Sequence, residues 1–232
     1  MISVSIIIPT FNEEKTILKI LEKIEKIKSK LDLEIVVVND GSTDNTKQLL
    51  ENNPQHFNTV KHLNQNLGKG KAIIEGINLS TKDFIFFQDA DLEYEPNDLL
   101  KFVEIAEKNS AELVMGSRFT SNTRSILHFW HMLGNKFITV LFNLLNNTTF
   151  TDIYCCSCLF KKKNLPASKL KSFGWGQQAE ILTYLISNTV KIYECSVSYN
   201  ARRYEEGKKI RYYHVLEVIY WIIFTRLKTL IK

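Results

Sequence analysis

The sequence predicts an α/β protein with a mostly parallel sheet, and two features of its N-terminal half carry this prediction. Short apolar runs typical of strands alternate with segments whose apolar residues recur at helical spacing. Polar, acidic or glycine-containing turns follow each apolar run. A chain of 232 residues, 44% hydrophobic and 24% charged, is also large enough to bury a sizeable core without disulfides or structural metals.

The predicted strands are rich in Ile, Val, Leu or Phe and cover residues 3–8, 34–38, 59–63, 84–87 and 113–115. Isoleucine and leucine recur at helical spacing between the first two strands, which predicts a helix there. Asp44 or Ser42 would cap a second helix. A third helix is expected over residues 68–76, and Pro96 would open a fourth.

Beyond residue 118 the pattern changes to longer apolar segments. Residues 126–145 have helical spacing and almost no charge, and Gly134 and Asn135 are expected to break them into two helices. A helix near residues 177–187, a strand near 190–199 and a final helix from 211 to the end complete the prediction. We expect one domain, residues 1–232, with halves 1–118 and 119–232.

The net charge of +5 is unevenly distributed along the chain. Residues 201–232 contain eight basic and three acidic side chains, so the whole excess lies in this tail. Between residues 113 and 179 the only acidic residue is Asp152. Such basic stretches attract nucleic acid, anionic lipid or phosphate-bearing substrates. The scattered aromatic residues form no stacking platform, so nucleic acid is not an expected partner.

The cysteines and the N-terminus indicate a cytoplasmic protein. Cys155, Cys156 and Cys158 lie too close together for a usual zinc-ligand spacing, and all four cysteines are expected to be reduced thiols. No secretory signal is recognisable, and no apolar run reaches about 18 residues, so a membrane-spanning helix is not expected.

Polar groups follow every predicted strand and should meet at the carboxyl edge of the sheet, where open parallel sheets bind ligands. Two of them, Asp89 and Asp91, leave a buried strand with one residue between them, so both carboxylates could bind one cation. Mg²⁺ or Mn²⁺ typically takes one or two carboxylates together with phosphate oxygens. The alternative is that both aspartates are turn and cap residues.

Two further turns could contact a nucleotide. The backbone N–H groups of Gly68-Lys69-Gly70 could approach a phosphate, although the segment does not match the P-loop pattern. Asp40 could hydrogen-bond a ribose or a base, although an aspartate in an N-D-G-S turn is usually structural.

Taken in order, these motifs resemble family 2 glycosyltransferases. The matching segments are P-T-F-N-E at 9–13, N-D-G-S-T-D at 39–44, N-L-G-K-G-K-A at 66–72, Q-D-A-D-L-E at 88–93 and G-S-R at 116–118. Downstream, T-D at 151–152, Glu180 and R-R-Y-E-E-G-K-K-I at 202–210 resemble the polyprenol (dolichol)-phosphate mannosyltransferase-like branch. The resemblance covers nearly the whole chain.

The resemblance implies a GT-A fold, Rossmann-like, with a mostly parallel mixed sheet flanked by helices and with C-terminal amphipathic helices. It implies an inverting, metal-dependent transfer from GDP-mannose or a UDP-hexose to a polyprenyl phosphate. Residues 1–118 would bind the nucleotide sugar, and residues 119–232 would bind the acceptor and face the membrane. Asp89, Asp91, Arg118 and Arg202 would be the catalytic residues.

The same resemblance assigns the remaining site residues by position. The nucleotide-sugar site would contain Pro9, Thr10, Phe11, Glu13, Asp40, Gly68, Lys69, Gly70, Asp89 and Ala90. Mg²⁺ or Mn²⁺ would be held by Asp89, Asp91 and Glu93. The acceptor side would contain Arg118, Arg124, Asn135, Asp152, Glu180, Arg202 and Lys208.

Three departures from the family pattern bear on function. Asn39 stands where an aspartate often precedes Asp40, and Cys156-Ser157-Cys158 replaces a common Ser-Gly. We also expect none of the transmembrane hairpins that some members carry. We therefore expect residues 126–145 and 215–232 to contact an anionic membrane peripherally, at its cytoplasmic face.

Two alternatives keep the fold. The acceptor could be a sugar hydroxyl, which needs a general base, and Asp152 or Glu180 would be the candidates. Alternatively, the chain could be a catalytically silent module that binds nucleotide sugars. The intact D-x-D carboxylates and the basic segment at 202–210 favour an enzyme with a phosphate acceptor.

Overall fold

The computed structural model describes residues 2–121, 129–201 and 214–231, and seven strands among them form one sheet. In chain order the strands are β1 (Ser3–Thr10), β2 (Asp32–Asn39), β3 (Thr59–His62), β4 (Phe84–Phe87), β5 (Leu113–Ser117), β6 (Cys158–Lys161) and β7 (Ile192–Ser196). Their order across the sheet is β3-β2-β1-β4-β6-β5-β7. Only β6 is antiparallel to its neighbours among these strands, which confirms the predicted mostly parallel mixed sheet.

Seven helices flank the sheet in the described part of the chain. They are α1 (Ile17–Lys28), α2 (Thr46–Asn52), α3 (Lys69–Leu79), α4 (Leu99–Asn109), α5 (Phe129–Asn146), α6 (Gln177–Asn188) and α7 (His214–Leu230). Pro96 opens a 3₁₀ turn, Pro96–Asp98, that leads directly into α4. Each predicted helix of the N-terminal half is therefore present.

The core lies between the sheet and its helices because the strand residues are apolar on both faces. Ile6, Ile7 and Ile8 of β1 are all at most 1% exposed, as expected for a parallel strand covered on both sides. Helix α3 approaches β1 closely at Gly76, where a Cβ would lie only 2.4 Å from Cγ2 of Ile7. This close approach packs α3 directly against β1.

Strand β6 was not predicted from the sequence. It is four residues long and follows an irregular, cysteine-containing segment, so no period-2 pattern marks it. It lies between β4 and β5 and pairs antiparallel with both. The two halves of the chain thus share one sheet.

The predicted break at Gly134 and Asn135 is wrong, because α5 runs without interruption from Phe129 to Asn146. Glycine in a helix costs only about 1 kcal/mol relative to alanine, and a Cβ at Gly134 would meet nothing within 4 Å. Packing of α5 against α7, and burial of residues such as Ile138 and Phe142, outweigh that preference. The N-terminal parts of both predicted helical segments, 126–128 and 211–213, lie outside the described residues.

All four cysteines are free thiols in the structure, in agreement with the prediction. Across residues 2–121, 129–201 and 214–231, no helix has the length and apolar character needed to span a bilayer.

Candidate active site

The loops that follow β1 and β2 are joined by hydrogen bonds at the carboxyl edge of the sheet. Asn12, in the left-handed region at φ 56°, donates its backbone N–H to Oγ of Ser42 at 2.9 Å. Its Oδ1 accepts the N–H of Thr43 at 2.8 Å. The Asp40 N–H donates to the carbonyl of Thr10 at 2.8 Å. These bonds fix the two loops as one unit before any ligand binds.

Polar contacts continue at the start of α2. The Glu13 N–H donates to Oγ1 of Thr46 at 2.9 Å, and Oε2 of Glu13 accepts the hydroxyl of Thr16. Asp44 accepts the N–H of Thr46, the first residue of α2, at 3.0 Å. Of the two predicted caps, Asp44 therefore contacts the helix end, whereas Ser42 binds Asn12.

The remaining candidates of this loop lie at the end of β1 and just after it. Pro9 and Thr10 end β1, and Phe11 follows in the loop toward Glu13. Thr10 is buried, and Phe11 is partly exposed. These residues surround the switch point between β1 and β4, where an α/β sheet can bind a nucleotide.

Asp40 connects β2 to the G-K-G turn. Its two carboxylate oxygens accept the N–H groups of Leu67 and Gly68, each at 2.9 Å. Burial raises the pKa of Asp40, and the two hydrogen bonds oppose that shift. Asp40 therefore positions the turn in this structure, and nucleoside binding by Asp40 stays a prediction.

Asn39, one of the departures from the family pattern, makes polar contacts with both the oxygen and the nitrogen of its amide. Its Oδ1 accepts the N–H of Ser42 at 3.0 Å, and its Nδ2 lies 3.1 Å from Nδ1 of His62. An amide donor facing Nδ1 requires the neutral ring with its proton on Nε2. Burial lowers the pKa of His62, which favours the same neutral form.

The G-K-G turn packs against residues 171–173, which leaves no space for side chains at its glycines. The Gly70 N–H donates to the carbonyl of Phe173 at 3.0 Å. A Cβ at Gly68 would lie 2.4 Å from that oxygen, and one at Gly70 would lie 2.3 Å from the carbonyl of Ser172. Gly68 also has φ +97°, which favours glycine. The turn is thus held from both sides, by Asp40 and by this segment.

Lys69 extends from this turn to the D-x-D motif. Its Nζ lies 2.5 Å from Oδ1 of Asp89 and 3.2 Å from Sγ of Cys156. The Lys69 side chain is 41% exposed, but the protein atoms around its ammonium would lower its pKa; the charge of Asp89 reverses this and raises the pKa. Burial and the charge of Asp89 raise the pKa of Cys156 to about 12, so the thiol is neutral near pH 7. This contact between Lys69, Asp89 and Cys156 was not predicted from the sequence.

The rest of the D-x-D turn is tightly folded. Asp91 accepts the N–H of Glu93 at 3.0 Å, and Leu92 between them has φ 63°. Ala90 is buried. Glu93 in turn accepts the hydroxyl of Tyr199 at 3.1 Å, so its carboxylate faces the chain segment that follows β7.

The donor set of this turn fits a hard divalent cation. Asp89 and Asp91 offer carboxylate oxygens, and Asp89 already binds one cation, the ammonium of Lys69. In the described ranges no three His, Cys, Asp or Glu side chains form a ready-made metal site. Mg²⁺ and Mn²⁺ do not require one, because substrate phosphates and water commonly supply their other ligands.

Arg118 and Asp152 form a buried, bidentate ion pair. The guanidinium Nε and Nη2 donate to Oδ2 and Oδ1 of Asp152 at 2.7 and 2.8 Å. The Arg118 backbone N–H also donates to Oδ2, and the Tyr154 N–H donates to Oδ1. Asp152 is fully buried, and the guanidinium lies 5.3 Å from the ring centre of Tyr199. The pair fixes Arg118 at the end of β5.

Glu180, on α6, is buried and bound by backbone amides. Its carboxylate accepts the N–H groups of Lys171 and Ser172 at 2.8–3.1 Å. Burial raises the pKa of Glu180, and these bonds oppose the shift. Glu180 thereby holds the segment 171–173 against the G-K-G turn.

Four acceptor-side candidates remain, and the structure describes one of them. Asn135 lies on α5 and is partly buried. Arg124, Arg202 and Lys208 lie outside the described residues. Tyr199, which contacts both Glu93 and Arg118, was missed because nothing in its sequence context distinguishes it.

Helices α5 and α7 pack against each other, and each exposes a row of large apolar side chains, which together we call the α5/α7 face. Its residues are 42–78% exposed and comprise Phe129, Trp130, Leu133, Phe137, Val140 and Leu144 with Leu216, Tyr220, Ile223, Leu227 and Leu230. Lys136 and Lys228 are exposed on the same helices. The one acidic residue of the two helices, Glu217, is directed at Gly174 and Gly176 and accepts the Gly176 N–H at 3.4 Å.

Comparison with known proteins identifies related chains. A family model described as Glycosyl transferase family 2 matches residues 5–165. A protein of Methanocaldococcus jannaschii described as uncharacterized is 32% identical over 220 residues, which cover 88% of this chain and 93% of that protein. The undecaprenyl-phosphate 4-deoxy-4-formamido-L-arabinose transferase of Proteus mirabilis is 28% identical over 169 residues, 71% of this chain and 50% of the transferase. The chain thus spans about half the length of that transferase, whose name agrees with the predicted polyprenol-phosphate branch.

Among solved structures, a glucosyl-3-phosphoglycerate synthase from Mycobacterium tuberculosis, in complex with Mn²⁺, UDP and glucosyl-3-phosphoglycerate, has the same architecture. The TM-score is 0.70 at 17% identity, over 98% of this chain and 80% of the synthase. This likeness confirms the predicted GT-A fold.

Proposed function

The chain belongs to glycosyl transferase family 2, and from this membership we propose that it transfers a sugar from a nucleotide-diphosphate sugar to a polyprenyl phosphate. Family membership makes the chain a glycosyltransferase, as its motifs predicted. The donor in our proposal is GDP-mannose or a UDP-hexose. Residues 1–118 bind it, and residues 119–232 bind the acceptor.

One observation supports a phosphate acceptor over a sugar hydroxyl. A hydroxyl acceptor needs a general base, and the two candidates, Asp152 and Glu180, are 0% and 1% exposed. The carboxylate of Asp152 is bound by the Arg118 guanidinium, and that of Glu180 is bound by backbone amides. A phosphate is already anionic near pH 7 and requires no such base. The Proteus mirabilis relative, named for undecaprenyl phosphate, supports the same acceptor class.

The donor would lie along the carboxyl edge of β1, β2 and β4. Pro9, Thr10, Phe11, Glu13, Asp40 and Ala90 would surround the nucleoside. At the G-K-G turn, where α3 begins, Lys69 would approach the diphosphate with its ammonium. The N–H groups of Gly68 and Gly70, which the sequence predicted as phosphate donors, are already bound by Asp40 and Phe173. Because Asn39 replaces an aspartate, the identity of the base, guanine or uracil, is left to experiment.

Asp89 and Asp91, with Glu93, would hold Mg²⁺ or Mn²⁺ in the loaded enzyme. Such an ion stabilises the negative charge of a departing diphosphate. The structural neighbour from Mycobacterium tuberculosis was crystallised with Mn²⁺, which supports this proposal.

In the reaction we propose, the bond from the anomeric carbon to the diphosphate oxygen breaks and a nucleoside diphosphate leaves. The new bond forms between that carbon and an acceptor phosphate oxygen, from the opposite face of the sugar. No proton has to be removed from the acceptor. Arg118, held rigid by Asp152, would orient a phosphate together with Arg202, Arg124 and Lys208.

The α5/α7 face would bind the anionic membrane that carries the acceptor. Apolar helix faces flanked by lysine and arginine lie in bilayer interfaces, and Lys136, Arg226 and Lys228 provide that charge. Each cation near an anionic leaflet contributes about 1 kcal/mol, so binding would be reversible. We place the protein at the cytoplasmic face of this membrane.

A transfer assay tests this function. Purified protein is incubated with a panel of GDP- and UDP-sugars, with Mg²⁺ or Mn²⁺, and with short polyprenyl phosphate. The matched acceptor control is the polyprenol of the same chain length, which lacks only the phosphate. We expect lipid-linked sugar with one donor and the phosphate acceptor alone. Transfer to polyprenol at a similar rate would show that the acceptor phosphate is not needed. Donor binding without any lipid product would contradict the proposal and favour the sugar-hydroxyl alternative.

A further inference from the structure

We propose that Lys69 is an internal competitor for the metal site: its ammonium neutralises Asp89 in the donor-free protein, and a divalent cation binds that carboxylate only when Lys69 leaves. This inference rests on the proposed use of a divalent cation. It adds a role for one residue of this chain, namely to make metal binding depend on the donor.

The contact has the geometry of a direct ion pair. Nζ of Lys69 lies 2.5 Å from Oδ1 of Asp89, and Sγ of Cys156 lies 3.2 Å from the same Nζ. The Asp89 side chain is 16% exposed, so the pair is partly shielded from water. A pair in this setting is screened less than a pair on the open surface.

The backbone on both sides of Lys69 is held by hydrogen bonds, whereas the Lys69 side chain is partly exposed. On one side of it the Gly68 N–H is bound by Asp40, and on the other the Gly70 N–H is bound by Phe173. The side chain itself is 41% exposed, so its four-carbon stem has open space toward solvent. Lys69 can thus leave Asp89 without disturbing the turn.

Electrostatics then couples the metal to the donor. A divalent ion needs an oxygen at about 2.1 Å, and an ammonium bound to the same carboxylate repels it. A diphosphate at the G-K-G turn offers Lys69 new anionic oxygens and offers the metal further ligands. The donor phosphates therefore help to draw the Lys69 ammonium away from Asp89, so the metal binds more tightly when the donor is present. Without the donor, the metal must compete with Lys69 for the Asp89 carboxylate.

Lys71 provides a matched control two residues further along the chain. Its Nζ pairs with Glu75 at 2.6 Å, away from the D-x-D turn, and Lys61 pairs with the same glutamate at 2.7 Å. Removing the charge of Lys71 changes the local net charge as much as removing that of Lys69. Of these two lysines, Lys69 is the one that pairs with Asp89.

The test measures Mn²⁺ binding without turnover. Free Mn²⁺ is followed by electron paramagnetic resonance while it is titrated into full-length wild type, Lys69→Met, Lys69→Arg and Lys71→Met, without nucleotide. We expect Lys69→Met to bind Mn²⁺ about tenfold more tightly than wild type, on the order expected from one partly shielded charge contact. Lys69→Arg and Lys71→Met should stay within about twofold of wild type. Circular dichroism verifies that each variant is folded.

A second titration, with GDP or UDP present, separates the two proposals. Suppose that wild type binds Mn²⁺ when nucleotide is present, but that without nucleotide Lys69→Met binds Mn²⁺ no more tightly than wild type does. The proposed role of Lys69 is then wrong, and the metal site stands. If Lys71→Met tightens binding as much as Lys69→Met, the effect is general charge and the proposal is again wrong. If no variant binds Mn²⁺ in either titration, both the metal site and the role of Lys69 are overturned.

Discussion

The carboxyl edge of the sheet and the α5/α7 face are opposite kinds of surface. At the edge, polar side chains such as Asn39 and Asp40 are buried and bound to neighbouring loops. On the α5/α7 face, large apolar side chains such as Trp130 and Leu144 are 77% and 78% exposed. The hydrogen bonds of the carboxyl edge are thus formed without a ligand. The α5/α7 face, in contrast, exposes apolar area that an apolar partner would cover.

The physical origin of this difference is the cost of leaving each kind of group unpartnered. A buried carboxylate without hydrogen bonds is strongly destabilising, so the fold itself must satisfy Asp152 and Glu180. Single exposed apolar residues are common on proteins, but rows of large apolar side chains on two packed helices mark an interaction site.

Replacing Asp91 with alanine should abolish turnover, because it removes a carboxylate proposed to hold the metal. We expect a decrease of at least about a thousandfold in the transfer assay, comparable with the loss of a key electrostatic group in other active sites. Asp83→Ala, at an exposed position before β4, is the control and should retain activity. Near-normal turnover of Asp91→Ala after chelation of all metal would refute the metal assignment.

Asp152→Ala should destabilise the protein by about 3–5 kcal/mol, because it leaves the Arg118 guanidinium buried without its partner. Urea unfolding measures the change. The double variant Arg118→Met/Asp152→Leu removes both charges and should recover much of the lost stability. A loss below about 1 kcal/mol for the single variant would mean that the pair is far more hydrated than its burial implies.

Leu144→Ser with Leu227→Ser should reduce membrane binding and leave folding unchanged. Both residues lie on the α5/α7 face and are 78% and 55% exposed, so the free energy of unfolding should change by about 0.5 kcal/mol or less per site. Flotation with anionic liposomes should show severalfold weaker, salt-sensitive association. Val190→Ser, at a 91% exposed apolar residue outside the face, is the matched control. Equal flotation of all three proteins would argue against this face as the membrane contact.

The smallest effect concerns His62 at the end of β3. Burial lowers its pKa from an ordinary value of 6.5, so folding favours the neutral ring that faces the Asn39 amide. Its contribution to stability is complete above that value and decreases as the pH falls through the lowered pKa. Between about pH 7.5 and 5.5, the Tm of wild type should therefore decrease more than that of His62→Gln. Parallel decreases would show that the Asn39 contact does not select the neutral ring.

The strands and their loops at the edge were predictable because each signal is local. Apolar runs that end in polar turns predict the bounds of β1, β2 and β4 to within a few residues. Because these strands are parallel, their carboxyl ends meet at the same edge of the sheet. Strand β6 and the uninterrupted α5 were not predictable, since both depend on tertiary packing. β6 is defined by its neighbours in the sheet, and α5 tolerates Gly134 because it packs against α7.

Within the site, residue types were predictable and their partners were not. The spacing of Asp89 and Asp91 indicated a cation site, but the contact from Lys69 depends on how Asp40 and Phe173 fix the turn. In the same way, Glu180 binds amides of residues that are eight and nine positions away, in an irregular segment. Such contacts arise from the folded arrangement of loops, which no periodic pattern encodes.

The most direct test of the account is sugar transfer on vesicles, because it requires the edge and the α5/α7 face together. Initial rates are measured with labelled donor, fixed polyprenyl phosphate and an increasing fraction of anionic lipid. We expect labelled lipid at a rate that rises with the anionic fraction and falls with added salt. Labelled sugar recovered only in water-soluble products, with no labelled lipid at any composition, would contradict it.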